Sequence, residues 1–169
     1  VIKKHSRQLK KLIISTYYGN YNISDNLLKG MANLKILILP FNESITNTGL
    51  SYIPNILTLN LSFNKNITDE GLRYTSNVRK LYLFHNKNIT DNGLKYIPHI
   101  IQLNLGRNKN ITNYGLTFIP NIEKLNLQRN KKVTSDEIKI LPNIIKAHIS
   151  YDRINDISSI KKNDKIHIH

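Results

Sequence analysis

The chain has 169 residues and a mass of 19.6 kDa, with 40% hydrophobic and 21% charged residues. That is one domain's worth of sequence with enough apolar material for a packed core, which excludes a disordered tail. The balance of 25 Lys and Arg against 11 Asp and Glu, net +14, favours an acidic protein, a nucleic acid or an anionic surface as partner, while the lack of cysteine excludes a disulfide framework, a thiolate zinc site and a Cys nucleophile.

No apolar run approaches the ~18 residues of a membrane span, and the start, VIKKHSRQLKK, lacks the apolar centre of a secretory signal. A soluble chain without membrane contact is expected. Val1 in place of Met leaves room for a segment upstream. The 24 Asn and 27 Ile look like an AT-rich genome as much as like function.

In chain order, residues 1 to about 11 form a basic, partly amphipathic N-terminal cap. A first strand follows in LKKLII (Leu9 to Ile14), with a three-residue longer turn after it, or irregularly from Leu12 without one. NISDNLLKGMAN (Asn22 to Asn33) is its return segment. From there a period of 22 residues is plain: LKILILPFN, ILTLNLSFN, VRKLYLFHN, IIQLNLGRN and IEKLNLQRN start at Leu34, Ile56, Val78, Ile100 and Ile122, with a weaker copy, IIKAHISYD, from Ile144. Each of the five is followed by a second block of the form NITDEGLRYTSN. Repeats run to about residue 152, and residues 153 to 169 break the period and close the stack, with a strand through Ile166 and Ile168.

Alternating apolar positions such as Leu59 and Leu61, or Leu81 and Leu83, turn one face of each short strand inward. Asn64 and its equivalents carry an amide suited to satisfying backbone groups in the tight turn that follows. In the return segment Thr68 or Thr90 caps a short helical turn, Gly71 or Gly93 permits close backbone approach, and an Ile-Pro pair ends the turn. One unit cannot bury enough apolar surface to offset the ordering of its 22 residues, so the units must stack. About seven parallel strands are expected.

The spacing LxxLxLxxN followed by IT-D/N-x-GL resembles the leucine-rich repeat family, and within it the cysteine-containing type found in F-box proteins. The resemblance covers roughly residues 9 to 157. Two departures stand out: Asn42, Asn64, Asn86, Asn108 and Asn130 occupy the position that is often Cys, and the unit is 22 residues rather than about 26. The implied fold is α/β, a curved right-handed leucine-rich-repeat horseshoe with a parallel β-sheet on its concave face and short helical or 3-10 return segments.

In such a solenoid the residues left free by packing lie on the concave face. Early units offer apolar and aromatic groups there, later ones basic and polar groups. One lane reads Phe41, Phe63, His85, Arg107, Arg129 and Tyr151, with Tyr82 and Phe84 beside it, the mix of rings and guanidinium groups found at interfaces. The alternative is that a Phe before the Asn tucks into the turn as packing. Arg79, Lys80, Lys124, Lys146 and His148 complete the expected partner-binding set. Lys65, Lys87, Lys109 and Lys131, broken by Glu43 at the front, form a positive edge read as a solvated face. Tyr52, Tyr74, Tyr96 and Phe118 recur on the return segment and read as outer packing.

Six histidines lack accompanying carboxylates or Cys, so no metal site is expected, nor a cofactor. Asp25, Asp69 and Asp91 recur at helix starts, where acids are welcome, and do not form a catalytic pair. No phosphate loop or hydrolase motif is present, and the chain is not read as an enzyme. Asn-x-Ser/Thr sequons at Asn22, Asn42, Asn60, Asn66, Asn88 and Asn110 fall mostly in the Asn-rich turns and NIT blocks, and several would place glycans on core-forming turns. The expected setting is therefore cytoplasmic, a host's cytoplasm if the chain is viral, with the nucleus open. The expected role is that of a monomeric protein-interaction module binding its partner on the concave face. The resemblance further implies the substrate-recognition part of an F-box-type ubiquitin ligase adaptor. The competing reading is polyanion or nucleic-acid binding through the basic concave residues.

Overall fold

The computed structural model describes residues 8–14, 23–139, 141–149 and 166–168. Within them lies one eight-stranded sheet in sequential order, every neighbouring pair parallel. Its strands are β1 Lys11–Ile13, β2 Ile36–Ile38, β3 Thr58–Asn60, β4 Lys80–Tyr82, β5 Gln102–Asn104, β6 Lys124–Asn126, β7 Lys146–Ile149 and β8 Ile166–Ile168. The return segments carry α1 Asp25–Leu28, α2 Asn47–Ser51, α3 Asp69–Leu72, α4 Asp91–Leu94, α5 Asn113–Leu116 and α6 Ser135–Lys139. This is the expected α/β horseshoe of short strands and one-turn helices. Leu12 pairs with Leu37, a 25-residue step where later coils take 22, which is the register expected for a strand in LKKLII with three residues more before the next coil.

The core is a set of vertical aliphatic columns. In one central coil Val78, Leu81, Leu83, Ile89, Leu94 and Ile97 are all wholly buried. Leu81 stands in register between Leu59 and Leu103, and the leucine column runs from Leu12 of β1 to Leu125 of β6, where Ala147 follows it. In the third coil Thr75 and Ser76 replace Ile and Pro. Thr75 is buried and its hydroxyl donates to the Leu72 carbonyl at 3.1 Å. Without a following proline residue 75 is free to stay helical, and a 3-10 turn extends over Arg73–Thr75.

Polar columns hold the coils in register. Each turn asparagine reaches back one coil: Asn86 Nδ2 donates to the carbonyls of Asn64 (3.0 Å) and Ile67 (3.1 Å), and its Oδ1 accepts from the N–H groups of Asn88 (2.9 Å) and Ile89 (3.2 Å). Asn64, Asn108 and Asn130 repeat the pattern. A second column joins Asn66, Asn88 and Asn110 to the carbonyls of Glu43, Lys65 and Lys87, and a third joins Asn55, Asn77, Asn121 and Asn143 to carbonyls one coil back. Among the described residues no buried side-chain polar atom lacks a partner. The asparagine excess therefore has a structural use that base composition alone would not supply.

On the return side the first helical residue of one coil holds the helix start of the next. Asp69 accepts from the Thr90 N–H (2.8 Å) and hydroxyl (2.6 Å), and Asp25 and Asp91 do the same for Thr46 and Thr112. A Cβ on Gly49, Gly93 or Gly115 would meet the aspartate oxygen of the coil before at 2.2–2.4 Å. The glycine of the IT-D-x-GL block makes room for that carboxylate.

The candidate interface on the concave face and its rim

Strands β3 to β6 each end in a four-residue turn closed by a backbone bond from the Asn N–H to the leucine carbonyl three residues back, as in Asn86 to Leu83 at 3.1 Å. The third residue of that turn, and Phe41 in the same place after β2, has positive φ: Phe41, Phe63, His85, Arg107 and Arg129 all lie at 60–64°. Glycine or asparagine is the strain-free choice there. The sequence reading placed these residues on the concave sheet. They stand instead on the rim just beyond it, because the strands stop three residues earlier.

The rim rings cover one another. Phe41 and Phe63 stack at 4.3 Å, Phe63 meets Phe84 at 5.2 Å and His85 at 5.4 Å, and the Arg107 guanidinium lies 5.6 Å from the Phe84 ring centre. Phe84 leans into space that a side chain at 106 would fill, since a Cβ on Gly106 would come 2.8 Å from its ring. Packing and exposure therefore coexist in this lane: Phe41 is 48% exposed while Phe63, Phe84 and His85 are half-buried. Partial burial first, and then the cations Lys87, Arg107, Lys109 and Lys65, push the His85 imidazole below the usual histidine range.

Inside the rim, Lys80, Tyr82, Lys124, Lys146 and His148 stand on the strands themselves. Over β4–β7 the concave face forms a groove of about 310 Å³, lined by Tyr82, Gln102, Asn104, Lys124, Asn126, Lys146 and His148 above Leu103 and Leu125. Arg79 precedes β4 and its Nη1 donates to the His99 carbonyl at 2.9 Å, which fixes it near the strand start, away from the rim. Tyr151 lies outside the described residues. Three asparagines on the concave strands are partly committed: the Oδ1 atoms of Asn60, Asn104 and Asn126 accept from the N–H groups of Ser62, Gly106 and Gln128 at 2.9–3.0 Å. An Asn directly before the turn, able to accept from the N–H two residues on, is the signal that could have revealed this.

Elsewhere the positive edge is broken as expected, with Lys65 paired to Glu43 at 2.8 Å. The return-side aromatic column is mixed: Tyr52 and Phe118 pack against the core, whereas Tyr74 and Tyr96 are more than a third exposed. Tyr114, which the sequence reading did not single out, is 60% exposed, packs edge-on against Phe118 at 4.9 Å, and has Lys95 beside both rings. Among the described residues no three His, Asp or Glu side chains group to hold a metal ion, and no helix is long and apolar enough to cross a membrane.

Comparison with known proteins agrees with this architecture. A family model described as leucine rich repeat matches residues 52–74 and 76–98. No curated protein sequence matches the chain. Among solved structures it resembles Rad7 in its complex with Elc1 in yeast, with a TM-score of 0.69 and 16% identity over 88% of this chain and 44% of that one. It also resembles the internalin InlF of Listeria monocytogenes, with a TM-score of 0.67 and 24% identity over 99% of this chain and 49% of that one, and TLR13 in a complex with ssRNA13, with 0.64 and 17% over 87% and 23%. The chain thus spans less than half the length of each of these three relatives in fold. Columns of aliphatic and asparagine side chains on a 22-residue period, a parallel concave sheet and these likenesses together describe a leucine-rich repeat fold, with leucine rich repeats matched over residues 52–74 and 76–98.

Proposed function

We propose that the chain is a protein-interaction module that holds its partner on the concave sheet and the adjoining rim. The observation that carries this reading is where the unspent chemistry lies. Aliphatic columns and amide ladders use the side chains that face inward and between coils, while Lys80, Tyr82, Gln102, Lys124 and Lys146 stand on one continuous open face. The rim adds to it: five successive side chains are kept at a backbone conformation that favours glycine, a strain of order 1 kcal/mol each, which points to a use for the rings and guanidinium groups.

A finer form of this reading makes the chain the substrate-recognition part of an F-box-type ubiquitin ligase adaptor. It is supported by the likeness of the IT-D-x-GL blocks to that set, and Rad7, similar in fold, occurs in a complex with another protein. An intracellular setting belongs to the same reading, since Asn42, Asn66, Asn88 and Asn110, four of the sequon asparagines, each donate a side-chain amide to the coil before.

The test uses a photo-crosslinking amino acid at Gln102, in the groove, or at Tyr74, on the return face. Crosslinks to a discrete protein from position 102 and not from 74 are expected, and Tyr82→Ala with Phe84→Ala should remove them while the unfolding transition is retained. Crosslinks from position 74 alone would overturn the proposal.

A further inference from the structure

The inference concerns the partner's chemistry and rests on the concave-face reading just given. We infer that the groove over β4–β7 takes an extended acidic peptide segment, its carboxylates meeting Lys80, Lys124 and Lys146.

Lys124 and Lys146 are paired in register on adjacent strands, and Lys80 and Lys124 flank Gln102. Neighbouring strands are about 4.8 Å apart, and like charges opposed at that spacing destabilise a sheet. Among the described residues no carboxylate pairs with these lysines. Among the described residues the ion pairs are Lys65 with Glu43 and Arg73 with Glu70, both elsewhere, and Asp25, Asp69 and Asp91 are spent on threonines of the return side. Among the described residues not one carboxylate lines the groove.

The neutral lining favours the same guest. Asn104 and Asn126 have given their side-chain oxygens to backbone N–H groups, leaving Nδ2 donors, and Gln102 adds another amide. A lane of ammonium groups flanked by amide donors suits a chain that carries carboxylates and main-chain carbonyls. Single-stranded nucleic acid would want aromatic faces for its bases. The groove offers Tyr82 and the smaller ring of His148, whereas Phe41, Phe63, Phe84 and His85 lie outside it on the rim, turned onto one another or under Arg107.

Fluorescence anisotropy on the full chain decides the matter with three labelled probes: a ten-residue peptide alternating Glu and Ser, its Gln-for-Glu analogue, and a six-nucleotide oligothymidylate with as many charges as the acidic peptide. The acidic peptide should bind and the analogue should not. Lys124→Gln with Lys146→Gln should weaken binding by about tenfold or more, while Lys87→Gln with Lys109→Gln, of equal net charge but on the outer edge, should change it by less than about threefold. Equal loss from both double variants would make the attraction a property of overall charge and overturn the proposal. So would oligothymidylate binding as tightly as the peptide with the same sensitivity to Lys124 and Lys146. Absence of peptide binding while crosslinks from position 102 persist would overturn the acidic guest and leave the concave interface standing.

Discussion

The turn asparagines show what a single side chain does in a stack. Asn86 is wholly buried and makes four hydrogen bonds with backbone groups of two coils. Asn86→Ala leaves those groups without partners at a buried position, at a cost of about 3 kcal/mol or more. Denaturant titration checks this, and a loss below about 1 kcal/mol would mean that the column is decorative. The role of Asn86 was legible from its place at the end of each LxxLxLxxN segment. That of Asn104 was not, because an asparagine on the open face of a strand reads as free until the backbone is seen to fold back onto it.

His85 belongs to the same scale. Burial and neighbouring cations lower its folded-state affinity for a proton, so the unfolded chain binds the proton more readily. The associated stability is full above the ordinary histidine range near 6.5 and is lost as pH falls through it toward the lowered folded value. Between pH 7 and pH 5 the wild type should lose more stability than His85→Gln. Identical pH profiles would remove His85 from this account.

Among the elements, the one-turn helices depend on a contact between coils that no single copy of the repeat displays. Thr46, Thr90 and Thr112 cap their helices with their own hydroxyl oxygens, whereas Thr68 does not. The cause lies one coil back. Asp25, Asp69 and Asp91 accept the threonine proton and leave its oxygen free to cap, while Asn47 donates its amide to the Thr68 oxygen and occupies it. The sequence reading assigned the cap to Thr68 and Thr90 alike, because the deciding residue sits 21 positions away.

The helix glycines answer to the same neighbour. Gly93→Ala would bring a methyl group to 2.4 Å from the Asp69 carboxylate and should destabilise the chain by about 2 kcal/mol. In Asp69→Ala that obstacle is gone, so the double variant should be less destabilised than the sum of the singles by about 1 kcal/mol or more. Strict additivity in a double-mutant cycle would show that the glycine serves the helix alone.

For the whole molecule, period and composition were both visible in the sequence, but they differ in what they decide. A 22-residue spacing admits few architectures, and the strand register follows it from Leu37 through Leu59 and Leu81 to Leu125. The net charge of +14 left partner and solvent roles open, because charge becomes specific only when neighbouring coils line it up. That charge also repels itself, which weakens the compact state. Raising sodium chloride from about 0.01 to about 1 M shortens the screening length from about 30 Å to about 3 Å and should raise the urea midpoint. An unchanged or falling midpoint would show that the cations are already balanced in the fold.

The amide contact between one turn and the next recurs almost unchanged from Asn64 to Asn130. A coil joined that way fits any other coil, so copying one unit of the gene inserts a spare turn without reshaping its neighbours. Each such copy lengthens the open face by about 4.8 Å, which makes reach a quantity that inheritance adjusts in fixed steps, like adding links to a chain.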